Sequence, residues 1–385
     1  MLEFLTGLKA ALHDTILGQA PLLERAVFQL LDFLTGPVTG IGTRFHWFQL
    51  LEAVALSAIV YAAGRQVRPS GGWLGFVRFL FPKALYGHAS SMIDYQLAIL
   101  NTCFGFVFNV TWRFNTIAMT AVLLAWLERL FGPAPHTTAW APALLVAVTV
   151  WILLAEDLAN YIFHVLTHKI PFMWALHRVH HSAEVLTPIT ALRTHPLEYA
   201  LAAVWRGAFT SAALAPVLYW FTGPPATIEI FGMGAIVIVV GALGTTLQHS
   251  HIWLSFGRVL DHVICGPAVH QIHHSQAPEH WDCNFGVMFS FWDWMFGTLV
   301  LPGAPKILVL GLAGEARQPH PNAIAAWLLP LWEMVPFRRA FIDRLAWMFG
   351  PGVSDLAVRM CLIRPPAPAP ALTDDTPERS SRVGA

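Results

Sequence analysis

The chain has 385 residues, 56% of them hydrophobic and only 12% charged, and its 23 basic and 23 acidic side chains balance to zero net charge. Soluble domains carry about 25% charged residues, so this composition excludes a disordered chain, a nucleic-acid binder and an acidic tail protein, and leaves too few charges to cover a large soluble enzyme. An integral membrane protein remains, and it holds 18 histidines, 12 of them between residues 164 and 274.

Residues 1–36 read as two amphipathic helices. Leu2, Leu5, Leu8, Leu12 and Ile16 recur at helical spacing, and Leu23, Ala26, Val27, Leu30, Leu31 and Leu34 do so again. No compact apolar run followed by small residues marks a cleavable signal peptide. About 20 apolar residues cross a bilayer, and candidate spans follow at 47–63, 97–112, 114–131, 140–158, 199–222 and 225–247. Glu52 interrupts the first. The stretch 97–131 exceeds one span and reads as two spans, or as one span plus a partly inserted helix. Gly223-Pro224-Pro225 makes a tight turn between the last two, which form a helical hairpin.

Basic residues set the orientation. Arg65, Arg68, Arg78 and Lys83 lie in 64–83, and Lys169, Arg178 and Arg193 in 160–196, whereas 132–139 and 223–225 carry no Lys or Arg. The positive-inside rule places 64–95, 160–196 and 249–320 in the cytoplasm. His164 to His195 and His249 to His274 then leave the membrane on one face, provided 225–247 spans. A further apolar stretch at 323–350, with Arg338, Arg339 and Arg344, reads as a surface helix. The Pro-rich polar end, 364–385, reads as a disordered tail. The expected fold is all-α: a multi-span transmembrane bundle with a cytoplasmic, histidine-rich helical cap. Its parts are 1–135 with the amphipathic helices and first membrane segments, 136–305 with the histidines, 306–363 as a C-terminal helical region, and the tail. Cys103, Cys265, Cys283 and Cys361 form no CxxC pair and read as buried free thiols.

Three histidine clusters stand out: His164 with His168, then His177 with His180 and His181, then His270 with His273 and His274. Positions three and four apart share a helix face, so each cluster can aim two or three imidazoles at one point. Eight imidazoles exceed the ligand number of one ion, which suggests two. Iron, copper and zinc all suit open imidazole sites, and a redox role favours iron. His195, at the start of a membrane helix, and His249 are placed to complete the set. His251 points elsewhere; His262 and His280 flank the third cluster. His13, His46, His88, His136 and His320 read as ordinary surface or core histidines. Metal-bound histidine commonly donates its second N–H to a carboxylate. Asp157 and Glu198 are the candidates for that role, and each serves equally well as a helix cap or a surface ion pair.

These motifs run in a fixed order: HxxxH, HxxHH, HPxE, QH, HxxHH, NxG and WDxxFGT, within residues 140–300. In that order they closely resemble the fatty acid hydroxylase superfamily, the sterol desaturase-like integral membrane oxygenases. The resemblance implies a non-haem di-iron enzyme that uses O₂ and external electrons to hydroxylate or desaturate a sterol, fatty acyl chain or related lipid. By position its metal ligands would be His164, His168, His177, His180, His181, His195, His249, His270, His273 and His274, with no catalytic residue beyond the metal centre. Asn284, Trp292, Asp293 and Gly297 match the closing motif, whose role looks structural. Val165 and His251 depart from the pattern, where many members carry Arg and Asn. Two iron ions, O₂, a membrane lipid and a separate electron donor (a ferredoxin, or a b-type cytochrome with its reductase) would be the cofactors and partners, with no nucleic acid. The alternatives are a membrane acyl-chain desaturase and a non-catalytic haem or metal carrier. A zinc protease is disfavoured because no HExxH occurs.

Overall fold

Proline sets most of the helix starts that matter here. It lacks an N–H, and the first helical position needs none. The residue before it is pushed out of the helical region, so a preceding helix ends there. In the computed structural model, Pro142, Pro171, Pro196 and Pro267 each begin a helix. The structure describes residues 47–64, 66, 69–135, 142–221, 229–230, 233–234, 241, 243–314, 318–335, 342–344, 346 and 348. The expected amphipathic helices of 1–36, His13, His46, His136 and the tail 364–385 lie outside them.

The chain divides into two units, 1–334 and 335–385. Within the second, a short helical stretch at 342–344 buries Ile342. Among the described residues the first unit is helical apart from one small antiparallel pair and two isolated bridges. Its helices are α1 (Trp47–Ala63), α2 (Gly72–Leu80), α3 (Lys83–Tyr86), α4 (Ala89–Phe131), α5 (Pro142–Lys169), α6 (Pro171–His181) and α7 (Pro196–Trp220). Strands β1 (Glu229–Ile230) and β2 (Met233–Gly234) follow, then α8 (Pro267–His273), α9 (Phe291–Phe296) and α10 (Ala323–Glu333), with single 3₁₀ turns between.

The stretch expected to hold two spans, or a span and a partly inserted helix, is instead one helix. α4 runs 43 residues without a break, about 65 Å at 1.5 Å per residue. Asn101, in its first third, donates to the carbonyls of Leu192 and Thr194 at 3.0 and 2.8 Å and ties it to the loop before α7. Gly132, at φ 87°, ends it in a conformation that suits glycine. α4 lies along α7, which also packs on α5. The close approach follows from small residues: Ala203, Gly207, Ser211, Ala213 and Ala215 are the buried side of α7. Trp205 Nε1 donates to Ala159 O at 2.9 Å and Trp151 Nε1 to Ala213 O at 3.0 Å, stitching α5 to α7. By length and composition, α5 and α7 can each cross a membrane: Ala143–Lys169 and Pro196–Trp220 are helices of 27 and 25 residues, each with an apolar 18-residue stretch.

Two expectations change. The segment 225–247 is not a continuous helix, since β1 and β2 form a tight hairpin within it; most of the remainder lies outside the described residues. The two histidine groups nevertheless meet, so their meeting does not require that span. The basic residues of 160–196 are also not free surface charges. Arg193 is fully buried against Asp94 at 2.9 Å, and Arg178 is buried against Glu333. Lys169 is exposed but pairs with Asp282 at 2.7 Å. The orientation signal therefore narrows to 64–83, where Arg78 and Lys83 are exposed. The expected surface helix at 323–350 is α10, which ends at Glu333 and buries Ala323 and Ala326 against Leu97 and Val179. Cys265 and Cys283 are buried free thiols, as expected.

Candidate metal centre

α5 ends in two turns that carry His164 and His168 on one face. One residue, Ile170, turns the chain before Pro171 starts α6, so His177, His180 and His181 fold back over the first pair. His249 enters just after the 3₁₀ turn Thr245–Leu247, and α8 presents His270 and His273, with His274 as its C-cap. Gln248 fixes the approach of His249 by donating to Cys265 O and Val287 O at 2.9 and 2.6 Å.

Nine of the ten expected histidines come together in two groups. The first holds His164, His168, His177, His181 and His273; the second holds His180, His249, His270 and His274. Within each, one ring nitrogen per residue lies within 4.8 Å of every other. His168 Nε2 is 3.2 Å from His181 Nε2. In the second group Nε2 of His249 is 3.0 Å from that of His180 and 3.1 Å from that of His270, which is 3.2 Å from that of His274. Nitrogens that share an ion at about 2.1 Å lie roughly 3.0–3.4 Å apart in octahedral or tetrahedral arrangement, so the spacing fits a metal.

Hydrogen bonds on the far side of the rings settle which nitrogen faces inward. His164 Nδ1 lies 2.8 Å from Phe285 O, His273 Nδ1 2.7 Å from Cys283 O and His177 Nδ1 2.7 Å from Glu198 Oε1. A carbonyl only accepts, so Nδ1 carries the proton and Nε2 keeps its lone pair. The Nε2 atoms of His164, His177 and His273 are buried with no hydrogen-bond partner. Such orphans in a polar cluster call for a cation. Burial lowers the His273 pKa to about 3, and burial together with neighbouring imidazoles holds His180, His181, His270 and His274 well below the usual histidine value. The rings are neutral near pH 7, the state in which imidazole ligates.

Three expectations about single residues resolve differently. Glu198 Oε1 lies behind His177, 2.7 Å from its Nδ1. Asp157 does not touch a histidine: it accepts from Met288 N at 3.0 Å, Phe289 N at 3.2 Å and Trp292 Nε1 at 3.0 Å. His195 is outside both groups. As N-cap of α7 its Nδ1 accepts from Leu197 N at 3.1 Å, while Nε2 lies 2.8 Å from Trp327 O. Both nitrogens are engaged. His251 is also elsewhere, with Nε2 2.7 Å from Phe79 O, and His320 is a buried partner of Ser182 Oγ at 3.2 Å.

The closing motif builds the carbonyl supports. Asn284, at φ 55°, donates to Val269 O and Val300 O at 2.9 and 2.8 Å and accepts from Val300 N at 2.7 Å. Asp293 accepts from Phe285 N, Gly286 N and Thr298 Oγ1 at 2.8, 2.7 and 2.6 Å. Between them the chain is pinned with Cys283 O and Phe285 O facing His273 and His164. Main-chain acceptors leave no side-chain trace in a sequence, which is why reading by residue type misses them. Trp174 is a second omission: its ring centre lies 5.1 Å from that of His168 and 5.6 Å from that of His181, and only its place between two histidine boxes hinted at this.

Comparison with known proteins agrees with this site. Residues 149–298 match the family model described as fatty acid hydroxylase. An alkylglycerol monooxygenase of Xenopus tropicalis is 27% identical over 246 residues, 62% of this chain and 48% of that protein. One of Caenorhabditis elegans is 24% identical over 340 residues, 84% of this chain and 59% of that protein. A cholesterol 25-hydroxylase-like protein 1, member 2, of Danio rerio is 29% identical over 189 residues, 47% of this chain and 60% of that protein. The chain spans about half the length of the alkylglycerol monooxygenases it matches. No solved structure matches. Nine convergent histidines, the HPxE and WDxxFGT signatures and the family match over the same residues together make 149–298 a domain of the fatty acid hydroxylase superfamily.

Proposed function

We propose that this chain is a multi-pass membrane monooxygenase that hydroxylates a C–H bond of a lipid at a non-haem di-iron centre on the cytoplasmic face. The observation that carries the reading is the pair of imidazole groups, the first with buried, unpartnered Nε2 atoms and with Nδ1 of His164, His177 and His273 tethered behind. The nine histidines of the two groups would be the ligands, and His195 would not.

Bound iron would supply O₂ activation and store electrons. The overall reaction balances as R–H plus O₂, two electrons and two protons giving R–OH and water. The electrons would come from a separate one-electron carrier, a ferredoxin or a b-type cytochrome with its reductase. This chain's own residues hold and orient. Glu198 keeps the Nδ1 proton of His177, Phe285 O and Cys283 O keep those of His164 and His273, and the surrounding apolar helices exclude water. An alkylglycerol is the first substrate class to try, since relatives with similar sequences carry that name.

The test is purification in detergent, anaerobic iron loading and incubation with an alkylglycerol, O₂ and a chemical reductant. About two irons per chain and a product heavier by one oxygen are expected. Less than one iron per chain, with zinc held stably at all sites, would overturn the reading. A product lighter by two hydrogens would instead make the enzyme a desaturase.

A further inference from the structure

The two imidazole groups differ on the side away from the ion. A ring that ligates through Nε2 must carry its proton on Nδ1. In the first group three of the five rings have an acceptor there: Phe285 O for His164, Glu198 for His177 and Cys283 O for His273, all within 2.8 Å. His168 Nδ1 also faces Asp282 Oδ1, at 3.7 Å. In the second group, Nδ1 of His180 and of His270 are buried with no hydrogen-bond partner.

We infer that the two groups are unequal sites that fill in order, the five-imidazole group first and tightly, the four-imidazole group second and weakly, with Glu198 as the positioning residue that sets the gap. The inference rests on the proposed metal reading and extends it. Three arguments converge. A carboxylate or carbonyl behind a ligating histidine fixes the ring and raises its basicity, and loss of such a partner weakens binding about 10–100-fold. Ligation at His180 and His270 leaves two buried N–H groups without acceptors, a desolvation cost that the first group avoids. Finally, the first ion opposes the second. His180 and His181 are adjacent on α6, and the His181 ring stacks on that of His274 with centres 4.6 Å apart. Charge placed in the first group is felt across that short gap.

The experiment uses the full chain in detergent, stripped with chelator and titrated anaerobically with Co(II). Uptake is read by the visible bands of the bound ion and by competition with a chromophoric chelator. Wild type should bind two ions with dissociation constants at least about tenfold apart. Glu198→Gln should weaken the tight phase about 10–100-fold and leave the weak phase unchanged. His180→Ala should abolish the weak phase and keep the tight one. Two equal affinities in wild type, or a Glu198→Gln variant that weakens both phases alike, would overturn the inference. The wild-type isotherm decides the ordering even if a variant fails to fold, and circular dichroism checks each variant. An isotherm with no stoichiometric uptake would instead overturn the metal reading itself, and the inference with it.

Discussion

His195 shows how far a motif can carry a single residue. Its sequence context, His-Pro-Leu-Glu, contains one residue that reaches the histidine groups, Glu198, and one that caps a helix. A cap needs a side-chain acceptor just before the first turn, and His195 Nδ1 provides it to Leu197 N. The ring is thereby committed, and its other nitrogen reaches the carbonyl of Trp327 on α10. The variant His195→Asn keeps a capping side chain but loses the contact to α10. It should retain the full wild-type metal content by elemental analysis and lose about 1 kcal/mol of stability, the usual net value of one hydrogen bond. Loss of one ion from this variant would return His195 to the ligand set.

At the scale of elements, the histidines are held in register by an ion pair that touches none of them. Arg193 Nη1 donates to Asp94 Oδ1 at 2.9 Å, Nε to Val179 O at 2.8 Å and Nη2 to Ser182 Oγ at 2.8 Å. Thr190 Oγ1 donates to the other Asp94 oxygen at 2.6 Å. One guanidinium thus joins α4, the C-terminal end of α6 and the loop before α7, with every partner saturated. Removing one partner of a buried pair strands the other, at a cost of about 3–5 kcal/mol. Arg193→Ala should lose that much stability in chemical denaturation, and Arg193→Met with Asp94→Leu should recover part of it. Equal stability of Arg193→Ala and wild type would mean the pair is not needed to hold α6 in place. From sequence the same arginine read as an orientation signal, because positive charge near a span is the commonest use of arginine there; only the long-range partner Asp94, 99 positions away, reveals the other use.

The same division runs through the whole molecule. Contacts set by local period were legible: the i, i+3 and i, i+4 histidines and the long apolar stretches of α5 and α7. What depends on distant backbone was not, namely the carbonyls of Cys283 and Phe285, the grip of Asp157 on the loop before α9, and the continuity of α4. Among the described residues α5 and α7 are the helices long and apolar enough to cross a membrane, and an apolar run of span length reads alike whether it crosses a bilayer or packs inside the protein.

That ambiguity leaves a sharp consequence for topology. The loop 132–135 joins the C-terminal end of α4 towards the N-terminal end of α5, while the histidine groups and the turn Pro278–His280 lie with the C-terminal end of α5. A 27-residue helix separates the two ends, about 40 Å long and more than the roughly 30 Å hydrocarbon core. If α5 crosses the membrane, Pro135 and Glu279 face opposite compartments. Single cysteines at those positions, in a chain with Cys103 and Cys361 replaced by serine, can be tested with an impermeant maleimide; Cys265 and Cys283 are buried and should stay silent in the folded protein. Pro135→Cys should label only in right-side-out vesicles and Glu279→Cys only in inside-out ones. Labelling of both from one side would leave α5 as a buried core helix, and the enzyme would then meet its lipid from the membrane surface rather than from within the bilayer.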